Sequence, residues 1–135
     1  MAHPDISFDH VHLVSRDPLA AAQWYKNTLG ADIVQSVQTK GAPQIYIDIG
    51  GGAMVIIRGQ RPGESAVDPS VTEWGVDHFG VRIRGDFATF CGELKAKGVH
   101  FSLEPTDINP KTQIAFIDAP DGVSIELLNR KEALA

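Results

Sequence analysis

Apolar and polar residues alternate along several short runs of this chain, as they do in strands that are buried on one face. Between Gln44 and Ile49, isoleucine occupies every second position, and Gln44, Tyr46 and Asp48 fill the positions between. This pattern predicts eight strands along the chain. They lie near residues 7–15, 31–38, 44–49, 53–58, 76–84, 99–104, 112–118 and 123–129.

Two other segments have the three- and four-residue spacing of helices that are packed on one side. In the first, Asp17 is a candidate N-cap, Pro18 suits the first helical position, and Gly30 is a candidate left-handed residue at the end. The second runs from Asp86 to Gly98. The apolar stripes are Ala21, Trp24, Tyr25 and Leu29 in the first helix, and Phe87, Phe90, Cys91 and Leu94 in the second.

The order of these elements, βαβββ, occurs twice. His10 precedes its counterpart His78 by 68 residues and Asp48 precedes its counterpart Asp118 by 70, so the two copies differ by about two residues of loop. The sequence therefore predicts an α+β fold in which two tandem βαβββ modules form curved, mainly antiparallel sheets with helices on the outer face. We expect one domain over residues 1–135, with modules at about 7–58 and 76–130 and a linker at about 59–75.

Composition narrows the possible roles. The 135 residues carry a net charge of −5 and no basic run interleaved with aromatics, so nucleic acid is not expected as a partner. No apolar run approaches the roughly 18 residues that cross a bilayer, and Met1–Asp5 has no signal-peptide order. The lone Cys91 cannot form an intrachain disulfide. We expect a cytoplasmic protein with no membrane partner.

The polar face of the predicted sheets carries most of the candidate chemistry. Alternation places on it His10, His12, Tyr46, Asp48, Arg58, His78, Arg82 and Glu126. A purely structural sheet would rarely bear so many ionisable groups on one side, because each is costly to bury. Two histidines and one carboxylate on three strands, His10, His78 and Glu126, suggest a metal site.

Four motifs connect these residues to a known family. They are Asp9-His10 followed seven residues later by Asp17, Trp24-Tyr25-x-x-x-Leu29-Gly30, Asp77-His78, and Asp118-x-Pro120-Asp121-Gly122-x-x-x-Glu126-Leu127. In this order and spacing they resemble the vicinal oxygen chelate superfamily over nearly the whole chain. That superfamily includes glyoxalase I, methylmalonyl-CoA epimerase, extradiol ring-cleaving dioxygenases and metal-free resistance proteins.

The resemblance implies one divalent metal held by His10, His78 and Glu126. Glyoxalase I and the epimerase have Glu, Gln or His at a fourth ligand position, where the internal alignment places Ile56, an aliphatic residue that cannot bind a metal. The remaining two histidines and one carboxylate form the set found on non-haem Fe(II). Fe(II) is therefore favoured, with Zn, Ni, Co or Mn as alternatives.

The leading expectation is an extradiol-type Fe(II) dioxygenase that acts on a small substrate with adjacent oxygens. The first alternative is a glyoxalase I- or epimerase-like lyase or isomerase, in which Glu126 or Asp48 moves a proton. The second alternative is a metal-free binding or resistance protein. By resemblance we also expect a homodimer, with a site shared between subunits.

Each of the remaining polar residues has a candidate role in the site and a structural alternative. His12 is a candidate acid or base or a hydrogen-bonded spacer, and Asp48 and Tyr46 are a candidate base and substrate ligand or a polar lining. Arg58 and Arg82 suit a carboxylate or phosphate of an anionic substrate, or rim salt bridges. The substrate-binding set is thus Tyr46, Ile56, Arg58 and Arg82, in a pocket shaped by loops at 37–43, 59–75 and 104–112.

Overall fold

The computed structural model describes residues 8–65 and 76–131. The chain divides after Ala66 into two compact units. This division falls within the predicted linker. Residues 66–75 of that linker and residue 7 of the first predicted strand lie outside the described part. Neither helix of the described segments has the length and apolarity that a membrane crossing requires.

Unit 1 has the predicted order βαβββ. Its elements are β1 (His10–Val14), α1 (Pro18–Leu29), β2 (Asp32–Thr39), β3 (Ala42–Asp48) and β4 (Met54–Arg58). They form one sheet in the order β1-β4-β3-β2, in which β1 runs parallel to β4 and the other pairs are antiparallel.

The helix α1 begins and ends where the sequence predicts. The Asp17 carboxylate accepts a hydrogen bond from the backbone N–H of Ala20 at 3.1 Å, and Gly30 ends the helix with φ of 73°. A left-handed residue at this position costs glycine nothing. The buried face differs in part from the predicted stripe, since Ala21 and Tyr25 are buried while Trp24 and Leu29 are half-buried.

Unit 2 repeats this architecture. Its elements are β5 (Phe79–Arg82), α2 (Phe87–Ala96), β6 (Phe101–Asn109), β7 (Thr112–Asp118) and β8 (Ser124–Arg130), with a short 3-10 turn at Pro120–Gly122. The sheet order is β5-β8-β7-β6, with β5 parallel to β8. Asp86 caps α2 through the backbone N–H of Thr89 at 3.0 Å. The paired βαβββ architecture is therefore confirmed.

Two of the predicted loops are wrong. The segment 104–112 is mostly strand, since β6 continues to Asn109 and β7 begins at Thr112, and the segment 37–43 is a tight hairpin between Thr39 and Ala42. β6 contains Pro105, which cannot donate to a ladder, and it tolerates this residue because it is an edge strand. This strand is exposed along nearly its whole length, and its pairing with β7 shifts register three times.

One face of each sheet carries the core. In unit 1 the buried positions of β3 and β4 include Ile45, Ile47, Val55 and Ile57, and in unit 2 those of β7 and β8 are Ala115, Ile117, Ile125 and Leu127. Because side chains alternate along a strand, the residues between them face the opposite side. That opposite side holds the candidate site residues, as the alternation predicted.

Candidate metal centre

The ladder pairing of the two sheets supports the internal alignment. In unit 1, Tyr46 on β3 lies opposite Ile56 on β4, and in unit 2, Phe116 on β7 lies opposite Glu126 on β8. Tyr46 precedes Phe116 by 70 residues and Ile56 precedes Glu126 by 70 residues, as Asp48 precedes Asp118. Ile56 and Glu126 therefore occupy equivalent positions of the repeat. A carboxylate at position 56 would give unit 1 a histidine and a carboxylate at the positions of His78 and Glu126, but Ile56 is aliphatic.

Unit 2 brings His78 and Glu126 together. His78 immediately precedes β5, and Glu126 lies on β8 opposite Gly80. The His78 Nε2 and Glu126 Oε1 atoms are 3.2 Å apart, and their side chains are 32% and 21% exposed. The rings of His78 and Phe116 meet edge to face at a centroid distance of 4.9 Å, which restricts the plane of the imidazole.

Asp77 orients the imidazole of His78. Its Oδ2 lies 2.8 Å from His78 Nδ1, so the Nδ1–H donates to the carboxylate and Nε2 is directed at Glu126. The pKa of His78 is raised, first by the hydrogen bond to Asp77 and then by that to Glu126, against the opposing effect of burial. A histidine that donates Nδ1–H to a carboxylate and presents Nε2 is the usual arrangement of a metal-binding imidazole.

The same aspartate–histidine pair recurs in unit 1. His10, the first residue of β1, has its Nδ1 2.7 Å from Asp9 Oδ2. Its ring meets that of His12 edge to face at 6.1 Å. The pKa of His12 is lowered, first by burial and then by the charge of Arg58. The predicted ligand His10 and the candidate acid or base His12 thus lie beside each other on β1.

Each unit contains part of the proposed ligand set. Within either described unit, no group of three His, Cys, Asp or Glu side chains is placed to hold a metal ion. Ile56, which faces His12 across the β1–β4 ladder, is 7% exposed and contributes no donor. Unit 2 supplies two donors of the types that divalent transition metals prefer, one imidazole nitrogen and one carboxylate.

Asp48 and Tyr46 have structural partners. Asp48 Oδ1 accepts a hydrogen bond from the backbone N–H of Gly50 at 2.8 Å, which closes the turn that leads to β4. The amide of Gln44 donates to the Tyr46 hydroxyl at 2.8 Å. These bonds hold both side chains on the face of the unit 1 sheet that carries His10 and His12, where they form a polar lining.

Arg58 is bound by a residue that the sequence did not single out. Its Nη1 and Nη2 atoms lie 2.6 and 2.9 Å from the two carboxylate oxygens of Glu64, and Nη1 also donates to the Gly59 carbonyl. This bidentate pair, with the backbone N–H of Arg61, lowers the pKa of Glu64 to about 2. Glu64 lies in the predicted linker, where no periodic pattern pointed to a role.

Arg82 has a different environment. It lies at the end of β5 opposite Leu128, on the same face as Gly80 and Glu126. Its Nε atom is buried and has no hydrogen-bond partner among the residues that the structure describes. The two arginines predicted to bind an anionic substrate therefore have different hydrogen-bond partners. Arg58 is paired with Glu64, and Arg82 has a buried Nε–H without an acceptor among the described residues.

Comparisons with known proteins agree with this architecture. The family model of the glyoxalase/bleomycin resistance protein/dioxygenase superfamily matches residues 7–127. A probable chloroplastic lactoylglutathione lyase of Arabidopsis thaliana is 46% identical over 57 residues, which are 42% of this chain and only 16% of that protein.

Solved structures share the fold at low identity. A glyoxylase/bleomycin resistance protein/dioxygenase domain from Frankia sp. EAN1pec has a TM-score of 0.75 at 18% identity and covers 94% of this chain and 99% of its own. A variant of the fosfomycin resistance protein FosX from Listeria monocytogenes, in complex with Mn(II) and 1S,2S-dihydroxypropylphosphonic acid, has a TM-score of 0.69 at 18% identity. It covers 95% of this chain and 91% of its own.

Proposed function

Since the chain belongs to the glyoxalase/bleomycin resistance protein/dioxygenase superfamily, we propose that it is a divalent-metal-dependent enzyme acting on a small substrate with adjacent oxygen atoms. One observation carries this proposal: Asp77 orients His78, whose Nε2 lies 3.2 Å from Glu126 Oε1 on the neighbouring strand. An imidazole and a carboxylate this close share a metal ion readily, and the hydrogen bond from Nδ1–H to Asp77 leaves Nε2 as the nitrogen that binds the ion once it loses its proton.

The ligand set is His78, Glu126 and His10. His10 is included because its Nδ1 is bound by the preceding aspartate, as that of His78 is, and because it has the equivalent place in the repeat. Two imidazoles and one carboxylate suit Fe(II) best, while Zn, Ni, Co and Mn also accept these donors. When bound, the ion would polarise the adjacent oxygens of the substrate, and Fe(II) would in addition permit reaction with dioxygen.

The other residues of the site orient the reactants and limit water. Phe116 restricts the His78 ring, and Ile56 puts an aliphatic side chain, which cannot bind a metal, at the unit 1 position equivalent to Glu126. His12 lies next to His10, and its lowered pKa keeps its imidazole neutral near pH 7, the form that accepts a proton from a substrate hydroxyl. Its role is that of a general base.

Two reactions fit these residues. An extradiol-type dioxygenase is favoured by Ile56, because an open position beside two histidines and one carboxylate leaves room for a chelating substrate and dioxygen. A lyase or isomerase of the lactoylglutathione lyase type is favoured by the 57-residue match to the Arabidopsis protein. In that reaction Glu126 would move a proton between adjacent carbon atoms of the substrate.

Metal content tests the ligand assignment. The purified protein should contain about one divalent ion per chain after removal of adventitious ions, and His78→Ala and Glu126→Ala should each lose it. His100→Ala is the matched control, because His100 is also held by a carboxylate, Asp118 at 2.5 Å, but lies outside the proposed ligand set. Unchanged metal content in both ligand variants would place the protein in the metal-free class.

Oxygen consumption separates the two reactions. Metal-free protein is reconstituted anaerobically with Fe(II), Zn or Ni and offered a panel of catechols and of 2-oxoaldehyde–thiol adducts. Fe-dependent dioxygen uptake coupled to catechol loss is expected for a dioxygenase. Turnover of a thiol adduct on Zn or Ni, with no oxygen uptake, would rule out the dioxygenase and support the lyase.

A further inference from the structure

We infer that the substrate of this site carries a carboxylate on the side of the molecule opposite its chelating oxygens, and that Arg82 binds this carboxylate on the face of the unit 2 sheet that holds His78 and Glu126. The inference rests on the proposed function, since it assigns the substrate class for the same site. The residues that carry it belong to unit 2 and lie within residues 76–131.

Arg82 shares a face with the ligand pair. Gly80 lies opposite Glu126 and Arg82 lies opposite Leu128 in the parallel ladder of β5 and β8. A Cβ atom built on Gly80 would lie 3.7 Å from Glu126 Oε1, so this side of β5 faces the carboxylate. Arg82, two residues further along the strand, has the same orientation because side chains alternate.

The ladder row of Arg82 offers its charge no acidic partner. Along this row Leu128 is opposite Ile114, so the residues directly beside Arg82 are aliphatic, and the acid of this face, Glu126, lies one row away on that face. The buried Nε–H has no acceptor within residues 8–65 and 76–131. A buried guanidinium N–H without an acceptor is unfavourable, and a ligand oxygen at this position would remove the penalty.

The contrast with Arg58 supports the assignment. Arg58 donates to both oxygens of Glu64, so its charge and its planar fork are already used within unit 1. The guanidinium of Arg82 has neither a bidentate partner nor an ion pair among the described residues. Because a guanidinium matches the two oxygens of a carboxylate, Arg82 is the residue suited to the anion.

The spacing sets the size of the ligand. Two residues of strand separate Gly80 from Arg82, which is about 7 Å. Gly80 has no side chain, so only backbone lies between Glu126 and Arg82 on this strand. A catechol or similar chelating group can lie here with its oxygens at the ligand pair and a carboxylate on the opposite side of its ring at Arg82.

Matched ligands test this inference. Titration calorimetry compares 3,4-dihydroxyphenylacetate with 4-methylcatechol, which has the same chelating oxygens and no carboxylate, on anaerobic metal-loaded protein. We expect the carboxylate ligand to bind about 10- to 100-fold more tightly, as for one hydrogen-bonded charge pair. Arg82→Met, which keeps most of the stem, should remove this preference without changing the metal content.

Controls separate the carboxylate site from general electrostatics and from the metal. Arg84→Met removes the same charge two residues away, at an exposed position, and should leave the preference intact. Arg82→Lys should keep part of the preference, and it replaces Arg82→Met if that variant does not fold. The same ratio is measured on metal-free protein, where both ligands bind more weakly but the Arg82-dependent preference should persist.

The outcomes are distinguishable. If the protein takes up no metal but Arg82 still determines the preference for the carboxylate ligand, the proposed function fails and the carboxylate site stands. If metal binds and the two ligands bind equally well, or if Arg82→Met and Arg82→Lys both keep the preference, the inference is overturned. If Arg84→Met removes the preference as completely as Arg82→Met, the effect is long-range attraction and the inference is also overturned.

Discussion

Asp77 is expected to act on metal binding through His78 alone. Replacing it by alanine removes the acceptor 2.8 Å from His78 Nδ1 while leaving both unit 2 ligands in place. The imidazole then loses the partner that fixes its tautomer and its angle to Glu126. We expect Asp77→Ala to bind divalent metal more weakly than the natural protein, and Asp77→Asn to lie between, because asparagine keeps an acceptor and loses the charge.

The size of the effect follows from exposure. Carboxylates that orient a metal-binding histidine typically contribute 10- to 100-fold in affinity. The Asp77 side chain is 89% exposed, so water competes for its hydrogen bond and screens its charge. The expected loss is therefore at the lower end, about tenfold, or about 1.4 kcal/mol. Removing His78 or Glu126 should abolish binding, since each is a direct ligand.

A competition titration against a chromophoric chelator measures this loss, and urea unfolding of the metal-free variants checks the fold. Since Asp77 is exposed, stability should change by no more than about 0.5 kcal/mol. Asp118→Ala removes the carboxylate partner of His100 and is expected to leave metal affinity unchanged. Metal affinity of Asp77→Ala within twofold of the natural protein, with the fold intact, would refute the positioning role.

Three further predictions follow. Ile56→Glu should raise metal affinity by adding a fourth ligand and lower any oxygen chemistry, and unaltered affinity in a competition titration would mean that position 56 does not face the metal. The protein should sediment as a homodimer, and mixing His10→Ala with Glu126→Ala under subunit exchange should restore metal binding in part of the dimers; a monomer at micromolar concentration would contradict the shared site. The pKa of Glu64, lowered to about 2 by Arg58, predicts a contribution to stability that is present above pH 4.5 and lost as the pH falls toward 2. The stability difference between the natural protein and Glu64→Gln, measured by urea unfolding, should therefore shrink over that range, and a difference independent of pH would disprove the pairing.

Much of the fold could be predicted because local signals and tertiary packing agree. Asp17, Pro18 and Gly30 delimit α1 through local hydrogen bonds and backbone preferences, which depend on few neighbours. Apolar and polar residues alternate in the sequence of β8 over residues 124–127, and the apolar residues Ile125 and Leu127 are buried because one face of the strand packs in the core. The equivalence of Ile56 and Glu126 also followed from the sequence, since a repeat preserves ladder positions.

The parts that could not be predicted depend on contacts distant in sequence or on context. The continuation of β6 through Pro105 is possible only at a sheet edge, and the sequence does not show which strand is the edge. The pairing of Arg58 with Glu64 depends on the path of an irregular segment. Two arginines with the same predicted role thus acquired different environments, and only the structure distinguishes them.

The irregular pairing of β6 has a consequence for solubility. A nine-residue edge strand that is exposed on both sides is a template on which a strand of another chain can assemble. Pro105 lacks the N–H that such an assembly needs, and three shifts of register within β6 interrupt the spacing of the other donors and acceptors. Both features disfavour extension of the sheet by a strand of another chain.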